Sequence, residues 1–577
     1  MEKAGLMDMN GGPGEWPSWS PGAGLTPLEQ RMLAAAAAGE PVDLGVGPFT
    51  LAEMQDWHDD RAVRALVLRH LLVDNEWPVD ARGIRLSGVR ISGHLDLEGG
   101  TLRCPLLLHW CYLDAAEPAC LDDAIVSRLD LTGCRLTGLR AQMLTAKSVS
   151  LSRSIFNGPV WLIAAKIAGP LNCRGAQLTA ASQDGDALVG DGLKATRVFL
   201  GGKFAAAGVV RLPGADIAGT LNCGGAQLTA ASERGNALYG ERMKVGGDVF
   251  LDEGFTASGA VCLLRADIAG QLKCRSAQLT GCDNDGRALH GDGIKVGGAV
   301  VFDGSFTAAG TISLASARAD TLRWAPAEPI CGQVNLEGAT VRELDDDWSG
   351  DRPNGHWPAG GLLRLDGFTY GRFSGRHKPT ATRRLEWIHS QYQRSAAGGT
   401  AHFATQPYEQ LTAVYRQAGQ DTEAGEVAIA RRADLRKFGD LKPYRRFGNW
   451  FLDKTIKYGY QTWRAAAYLA IVFVAFLALS IVGQHRQLIV PVGNIHGLRP
   501  VPSATQCTSD YPCFYPFGYT IDTVIPLINV HQADFWGPDG HAAWGWVWVS
   551  LTWTATVLGW ALATLLVAGY TGLVRQD

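Results

Sequence analysis

Ile217-Ala-Gly-Thr-Leu-Asn-Cys-Gly-Gly-Ala-Gln-Leu-Thr-Ala-Ala-Ser232 has a near-copy on each side. Upstream stands Ile167-Ala-Gly-Pro-Leu-Asn-Cys173, continuing through Ala176-Gln-Leu178 to Ser182. Downstream stands Ile268-Ala-Gly-Gln-Leu-Lys-Cys274, continuing through Ala277-Gln-Leu279. The offset is 50 residues, then 51. Self-similarity at such a period marks a solenoid, in which each unit covers its apolar face with its neighbours. Val249 and Leu251, Val261 and Leu263, and Leu272 and Cys274 are alternating apolar pairs, which predict strands with one face inward. Gly246-Gly247 and Ala257-Ser258-Gly259 separate these pairs and suit tight corners. Strand pairs recur about every 11 residues, so one period reads as two coils plus a loop, placed at Gly235–Gly240.

Weaker versions begin at Ile84-Arg-Leu-Ser-Gly and continue through Ile91-Ser-Gly-His-Leu-Asp-Leu97 and Leu129-Asp-Leu-Thr-Gly-Cys134. The last is Val334-Asn-Leu-Glu-Gly338, which bounds the solenoid to 80–345. Its expected core includes Ile217, Leu221, Leu228, Val249, Leu251, Val261, Leu263 and Ile268. A solenoid has open strand edges at both ends, and these need caps. Residues 25–79 are expected to form a helical cap. Thr26-Pro-Leu-Glu29 reads as a capping box, and Leu51, Met54, Val63, Leu66, Leu68 and Leu72 fall at helical spacing. Residues 1–24 are Gly/Pro/Trp-rich, without the pattern of a secretory signal, and are expected to be disordered.

From Pro379 the apolar spacing becomes helical. Leu385, Ile388 and Tyr392 share one face, as do Leu411, Val414 and Tyr415, while Gly419 ends one helix before another carrying Ala424, Val427 and Ala428. Residues 346–464 thus read as a helical linker, which closes on a basic stretch including Arg445, Arg446, Lys454, Lys457 and Arg464. Two apolar runs of membrane-crossing length follow within 465–577, Ala465–Val482 and Trp546–Ala568. The flank before the first run is strongly basic, whereas the loop between the runs carries only Arg486 and Arg499. Both termini are therefore expected in the cytoplasm and the loop outside. The basic flank sets topology and can also hold anionic lipid headgroups. Trp546, Trp553 and Trp560 recur every seven residues, and Gly545, Gly559 and Gly569 add sites of close approach, so the second span is expected to associate through one face. The expected fold is mainly β: a right-handed β-solenoid with a helical N-terminal cap, a helical linker and two transmembrane helices.

A net charge of −3 gives no case for nucleic acid. The twelve cysteines form no C-x-x-C pair, so a zinc site is not expected. Cys173, Cys223 and Cys274 take equivalent repeat positions, which suggests stacked buried thiols in a reducing compartment. Cys507 and Cys513 lie between the spans, on the side expected to be oxidising, where a disulfide is the expectation and two packed free thiols the alternative. There is no dinucleotide-binding or phosphate-loop glycine motif, no cofactor is expected, and catalytic residues cannot be named. His109, His290 and His402 read as surface or structural histidines. Glu343, Asp345, Asp346 and Asp347 could attract a cation but read first as a solvated loop.

Pro407-Tyr-Glu-Gln-Leu, Val414-Tyr-Arg-Gln-Ala-Gly419, Ala424 with Val427, and Tyr458-Gly-Tyr460 carry a resemblance over residues 400–577. This part resembles bacterial membrane proteins that join a pentapeptide-like or β-helical domain to a two-span, potassium-channel-like module. The resemblance puts Tyr519-Thr-Ile-Asp-Thr-Val-Ile-Pro526 at the re-entrant position and implies that Asp522, Thr523, Pro526 and Asn529 line it. Thr523-Val-Ile-Pro-Leu-Ile-Asn529 lacks the glycine pair of a potassium filter, so the segment reads either as another kind of pore or as a packed, non-conducting anchor. The solenoid half is also similar to actinobacterial proteins commonly labelled membrane-associated oxidoreductases.

The leading functional expectation is a membrane-anchored scaffold, with the lipid bilayer, a second copy of the chain and a protein on the solenoid surface as partners. The next is a degenerate channel-like pore or sensor. The third is an enzyme, an oxidoreductase by the family label only, with a cleft formed by loops such as Gly185–Gly192 and Gly286–Gly293.

Overall fold

A backbone hydrogen bond in the repeat region runs from one coil to the next, not back along the chain. Leu221 pairs with Val249 and Val249 with Leu272, all in parallel register. The computed structural model describes residues 24–349, 355–358, 360–375, 377–392, 403–439, 441–459, 461–492, 503–506 and 511–571. Among them, parallel strands form sheets of 17, 11 and 11 members, the stacking of a solenoid. The chain divides into two compact units, residues 1–379 with 386–398, and residues 380–385 with 399–577.

The sequence period has a simple origin. Lys166 is in register with Lys194, and Lys194 with Asp216, so a 28-residue coil alternates with a 22-residue one. The longer coil carries an insertion that the shorter one lacks. In successive repeats the insertion closes with the same bonds, Gly185 N–H to Ser182 O, Gly235 N–H to Ser232 O and Gly286 N–H to Asp283 O. Asn284 donates from its side chain to Glu233 O at 3.1 Å, tying one insertion to the previous one. The loop therefore lies just ahead of the expected position. Asn236–Tyr239 is itself a strand, as are Asp186–Val189 and Arg287–His290, so the glycine-bounded segments read as cleft loops are largely sheet.

Every expected core residue, from Ile217 to Ile268, is buried. Cys173, Cys223 and Cys274 are buried free thiols, but they are not stacked directly on one another. Their rung also holds Leu200 and Leu251, because Asn172, Phe199, Asn222, Phe250 and Lys273 pair in that order one residue before. Burial pushes the thiols of Cys173 and Cys223 up to about 12. Where coils approach most closely, glycine is required. A Cβ on Gly246 would lie 2.1 Å from Ala218 O.

The stack extends past both expected limits. Val42–Asp43 pairs with Leu86–Ser87, and Ala62–Arg64 with Arg90–Ser92, so two strands stand inside the segment expected to be wholly helical. The cap helices are α1 (Pro27–Ala38), α2 (Leu51–Gln55) and α3 (Ala65–Val73). The helical spacing across 50–73 merged two helices with the strand between them. The capping box forms as expected, with Glu29 N–H donating to Thr26 Oγ1 at 3.1 Å and Thr26 N–H to Glu29 Oε2 at 3.0 Å. Glu29 is fully buried and also accepts from Arg64 Nη2 at 2.7 Å. Burial alone would raise this carboxyl, but the Arg64 and backbone hydrogen bonds hold it below its ordinary value. The disorder expected for residues 1–24 falls on residues outside the described ones, except Gly24.

At the far end, Leu363–Arg364 and Thr369–Phe373 continue the sheets, in a segment read as helical linker. The acidic cluster is not a solvated loop. Thr340–Asp346 is a strand, and all four carboxylates are engaged. Glu343 accepts from Arg372 at 3.0 Å and Asp345 from Arg323 at 2.6 Å, while Asp347 accepts from Ser349 N–H at 3.0 Å. Asp346 is buried and accepts from the indoles of Trp348 at 2.8 Å and Trp357 at 2.9 Å. Trp357 stacks on Trp324 with centroids 4.8 Å apart, and Trp324 meets Phe302 edge-on at 5.3 Å. This aromatic plug closes the last coils.

Beyond the sheets the chain is helical. Its register is as the sequence indicates: α4 (Ala381–His389), which is divided between the two units, then α5 (Gln406–Gln417) and α6 (Asp421–Phe438) in the second, with Leu411, Val414, Tyr415, Ala424, Val427 and Ala428 buried. Tyr408 donates to the buried Asp434 at 2.9 Å, fixing α5 on α6. Then come α7 (Pro443–Ile456), α8 (Trp463–His485), α9 (Pro516–Val524), α10 (Gln532–Phe535) and α11 (Gly545–Tyr570).

Replacing Leu251 by Asp places an unpaired charge on a fully enclosed rung. Thermal or denaturant unfolding should show a loss of about 4 kcal/mol or more; an unchanged midpoint would refute the register. Glu29 makes a separate prediction. Its lowered carboxyl stabilises the fold fully above the ordinary glutamate range, and this contribution is lost as the pH falls through its folded value. Glu29→Gln should therefore cost about 2 kcal/mol near neutral pH, and the gap between variant and parent should close in acid.

Candidate functional site

The residues implicated by sequence lie in the second unit, around two helices. Trp463–His485 and Gly545–Tyr570 are long and apolar enough to cross a membrane. Only 17% and 22% of their most apolar windows are buried, unlike the core helix of a soluble protein. α9 packs against both. Phe473 meets Phe517 at 5.6 Å, Phe476 stacks on Tyr519 at 6.2 Å, and Val524 reaches α11 at Gly559. Tyr511 donates to Phe535 O at 2.6 Å and Trp536 to Pro512 O at 3.1 Å, so the segment between the apolar helices has a small aromatic core of its own.

Asp522 and Asn529 are turn-builders here. The Asp522 carboxylate accepts from the backbone N–H groups of Val530 at 2.5 Å, Gln532 at 2.6 Å and Ala533 at 3.0 Å, wrapping the chain that follows α9 around itself. Asn529 accepts from His531 N–H at 2.8 Å in the same turn. Thr523 is buried and donates back to Tyr519 O at 2.8 Å. Pro526 ends the helical register between Thr523 and that turn, and Leu527, Ile528 and Val530 beside it are exposed. The structure thus gathers all four residues at the C-terminal end of α9 and occupies the polar ones with local hydrogen bonds.

Cys513 is disulfide-bonded, whereas the ten cysteines from Cys104 to Cys331 are free thiols; Cys507 lies outside the described residues. Trp546, Trp553 and Trp560 are exposed along one side of α11, with Trp553 70% exposed, so the first apolar helix of the same chain does not cover it. The glycines face elsewhere. A Cβ on Gly559 would lie 2.0 Å from Val524 O, and one on Gly569 2.6 Å from the Thr462 side chain, so these close approaches are spent within the chain.

The basic residues before α8 sit mostly on α7. Arg445, Arg446 and Lys454 are exposed, and Arg464 is half-buried at the start of α8. Lys457 is partnered, donating to Asp453 at 2.9 Å, and Arg436 reaches the same carboxylate at 3.3 Å. Burial alone would raise Asp453, but Lys457 and Arg436 hold it below the usual aspartate value. The sequence reading missed the other half of this surface. Tyr444, Phe447, Trp450 and Phe451 are all exposed on one side of α7, and Phe447 and Trp450 lie 5.8 Å apart. Their spacing of three and four residues among arginines and lysines was the available signal. A basic helix with an uncovered aromatic face has the composition of one that lies in a lipid–water interface.

Of the three histidines read as structural, His109 lies 3.6 Å from Asp130, and His402 is outside the described residues. His290 lies on the outer side of a sheet strand, mostly buried between neighbouring coils.

Gly559→Leu would drive a branched side chain into the Val524 carbonyl. The detergent-solubilised protein should lose about 3 kcal/mol or unfold at a clearly lower temperature, and Gly559→Ala should lose less. Equal melting of both variants and the parent would mean that α9 does not seat on α11. No protein-family model matches the chain, and no curated protein or solved structure matches it.

Proposed function

We propose that this chain is a membrane-anchored scaffold. Two spans and an interfacial helix hold it to the bilayer, and the stacked strands offer a regular surface to a protein partner. The observation that carries this reading is the apolar exposure of Trp463–His485 and Gly545–Tyr570, directly preceded by the exposed aromatic and basic side chains of α7. Water would not tolerate that much contiguous apolar surface, whereas lipid requires it. Arg445, Arg446 and Lys454 supply the positive charge that anionic headgroups attract. The same charge asymmetry favours cytoplasmic termini and an external loop. A right-handed winding for the solenoid is part of the proposal, because connections between parallel strands adopt that hand almost without exception.

A second copy of the chain is the partner proposed for the tryptophan side of α11, since the indole N–H of Trp553 has no water in a bilayer core. The alternative is a pore or sensor, favoured by the short helix α9 packed between the two apolar helices, as the resemblance to two-span channel modules would require. The bonding of Asp522 to three backbone N–H groups weighs toward a packed anchor. The oxidoreductase label of the similar actinobacterial proteins remains the third reading.

Labelling with a membrane-impermeant thiol reagent tests the anchor and its orientation together. After reduction, Cys507 and Cys513 should react in intact cells, while the exposed solenoid thiols Cys282 and Cys331 should react only after lysis. Labelling of the loop cysteines only after lysis would reverse the topology, and recovery of the chain in the soluble fraction would end the anchor reading. Unitary currents from the reconstituted protein would move the assignment to a pore.

A further inference from the structure

One outward rung of the solenoid brings a thiol, an imidazole and a carboxylate into line. Ala260–Cys262 pairs in parallel with Asn236–Tyr239 on one side and Arg287–His290 on the other, so Tyr239, Cys262, His290 and Ser313 occupy one rung on four successive coils. The Cys262 sulfur lies 3.9 Å from His290 Nδ1. The other ring nitrogen, Nε2, lies 3.3 Å from Asp292 Oδ2. The second oxygen of Asp292 is held by the Ser313 hydroxyl and by Ala315 N–H at 3.1 Å. Sulfur and carboxylate thus meet opposite edges of the imidazole. That is a relay, not a chelate, since one metal ion could not take both nitrogens. It is the order of groups that activates a thiol nucleophile: a base within reach of the sulfur, oriented by a third group that is itself fixed.

The surroundings fit this role. The Asp292 hydrogen bond, and after it the contact with Cys262, push the imidazole of His290 up to about 9, against burial and the nearby Arg287. The imidazole is thus a strong enough base to hold a proton taken from the sulfur, and the imidazolium so formed stabilises the sulfur anion. Tyr239 flanks the thiol on the other coil and borders a polar groove of about 520 Å³, lined also by Asp186, Arg211, Ser232 and Asn236. Cys262 is only 4% exposed, so size limits what can reach its sulfur. Cys120 provides an internal contrast. It lies on the same rung of the same sheet, equally buried, but its sulfur faces the Glu98 carboxylate at 3.8 Å, and burial pushes its thiol up.

We propose that Cys262 is a reactive thiol that is oxidised by small hydroperoxides, with His290 as its base and Asp292 as the residue positioning His290. The sulfur gives its proton to His290 Nδ1 and attacks one peroxide oxygen. The O–O bond breaks as the S–O bond forms, and the departing hydroxide takes the proton from His290 to leave as water. With hydrogen peroxide the products are Cys262 sulfenic acid and water, the sulfur losing the two electrons that the peroxide gains.

The test uses the full-length, reduced protein in detergent, brief exposure to hydrogen peroxide, removal of the peroxide, unfolding in the presence of dimedone to capture sulfenic acid, and peptide mass spectrometry. Cys262 should be captured at least ten times faster than Cys120, Cys173, Cys223 or Cys274 in the same sample. His290→Gln keeps a side chain able to hydrogen-bond the sulfur but unable to take its proton. It should lower the Cys262 rate tenfold or more with an unchanged melting temperature, and Asp292→Asn should lower it less. Equal rates for Cys262 and Cys120 in the parent protein overturn the proposal even if a variant fails to fold. A folded His290→Gln variant with the parental rate overturns it as well.

Discussion

The hydrogen bonds between coils impose parallel, in-register stacking, and most other features of the first unit follow from it. A strand whose partners are the equivalent strands before and after it cannot slip without turning its apolar residues outward. Each inward position must then be filled by a side chain that fits directly over its counterpart. The Cys173, Leu200, Cys223, Leu251, Cys274 rung solves this by alternating a small thiol with a larger leucine. The same register lines up outward residues into rows, so residues far apart in sequence become neighbours. Arg323 lies within reach of both Asp303 and Asp345, and Cys262 meets His290.

The constraint fails at the two ends, where a coil has a neighbour on one side only. Buried carboxylates appear near both. Glu29 satisfies the first turn of α1 and binds Arg64 at one end, and Asp346 ties two indoles together near the other. An enclosed carboxylate is costly unless it is hydrogen-bonded, and each of these accepts two or more such bonds. The polar bond and the apolar ring serve one purpose there. Trp324, Trp348 and Trp357 cover area, while Asp346 fixes the indoles of Trp348 and Trp357 in orientation.

In the second unit the logic is inverted. α8 and α11 expose most of their apolar surface, and they pack on each other, on α9 and on the short segment between them. Glycine at 559 lets the end of α9 approach the α11 backbone. Asp522, by accepting from the N–H groups of Val530, Gln532 and Ala533, keeps that end of α9 closed into a turn. α7 then adds exposed aromatic and basic side chains just before the first apolar helix.

Sequence by itself determined the repeating register, the identity of the core residues, the capping box of α1, the succession α4 to α6, and the two long apolar helices. Each is written in local spacing, because an alternation of two or a period near four records which side of the backbone meets its neighbours. The strands inside the N-terminal cap, Val42–Asp43 and Ala62–Arg64, were hidden because two or three residues carry too little periodicity to separate from the adjoining helices. The acidic run 343–347 read as solvated because its partners Arg323, Arg372 and Trp357 are assembled by neighbouring coils and the chain return. His290 looked solitary for the same reason. Its thiol neighbour lies 28 residues away along the chain and 3.9 Å away in space. Only the stacking of coils decided those pairings, since the alternation of longer and shorter coils, set by the insertion loops, brings distant positions onto one rung.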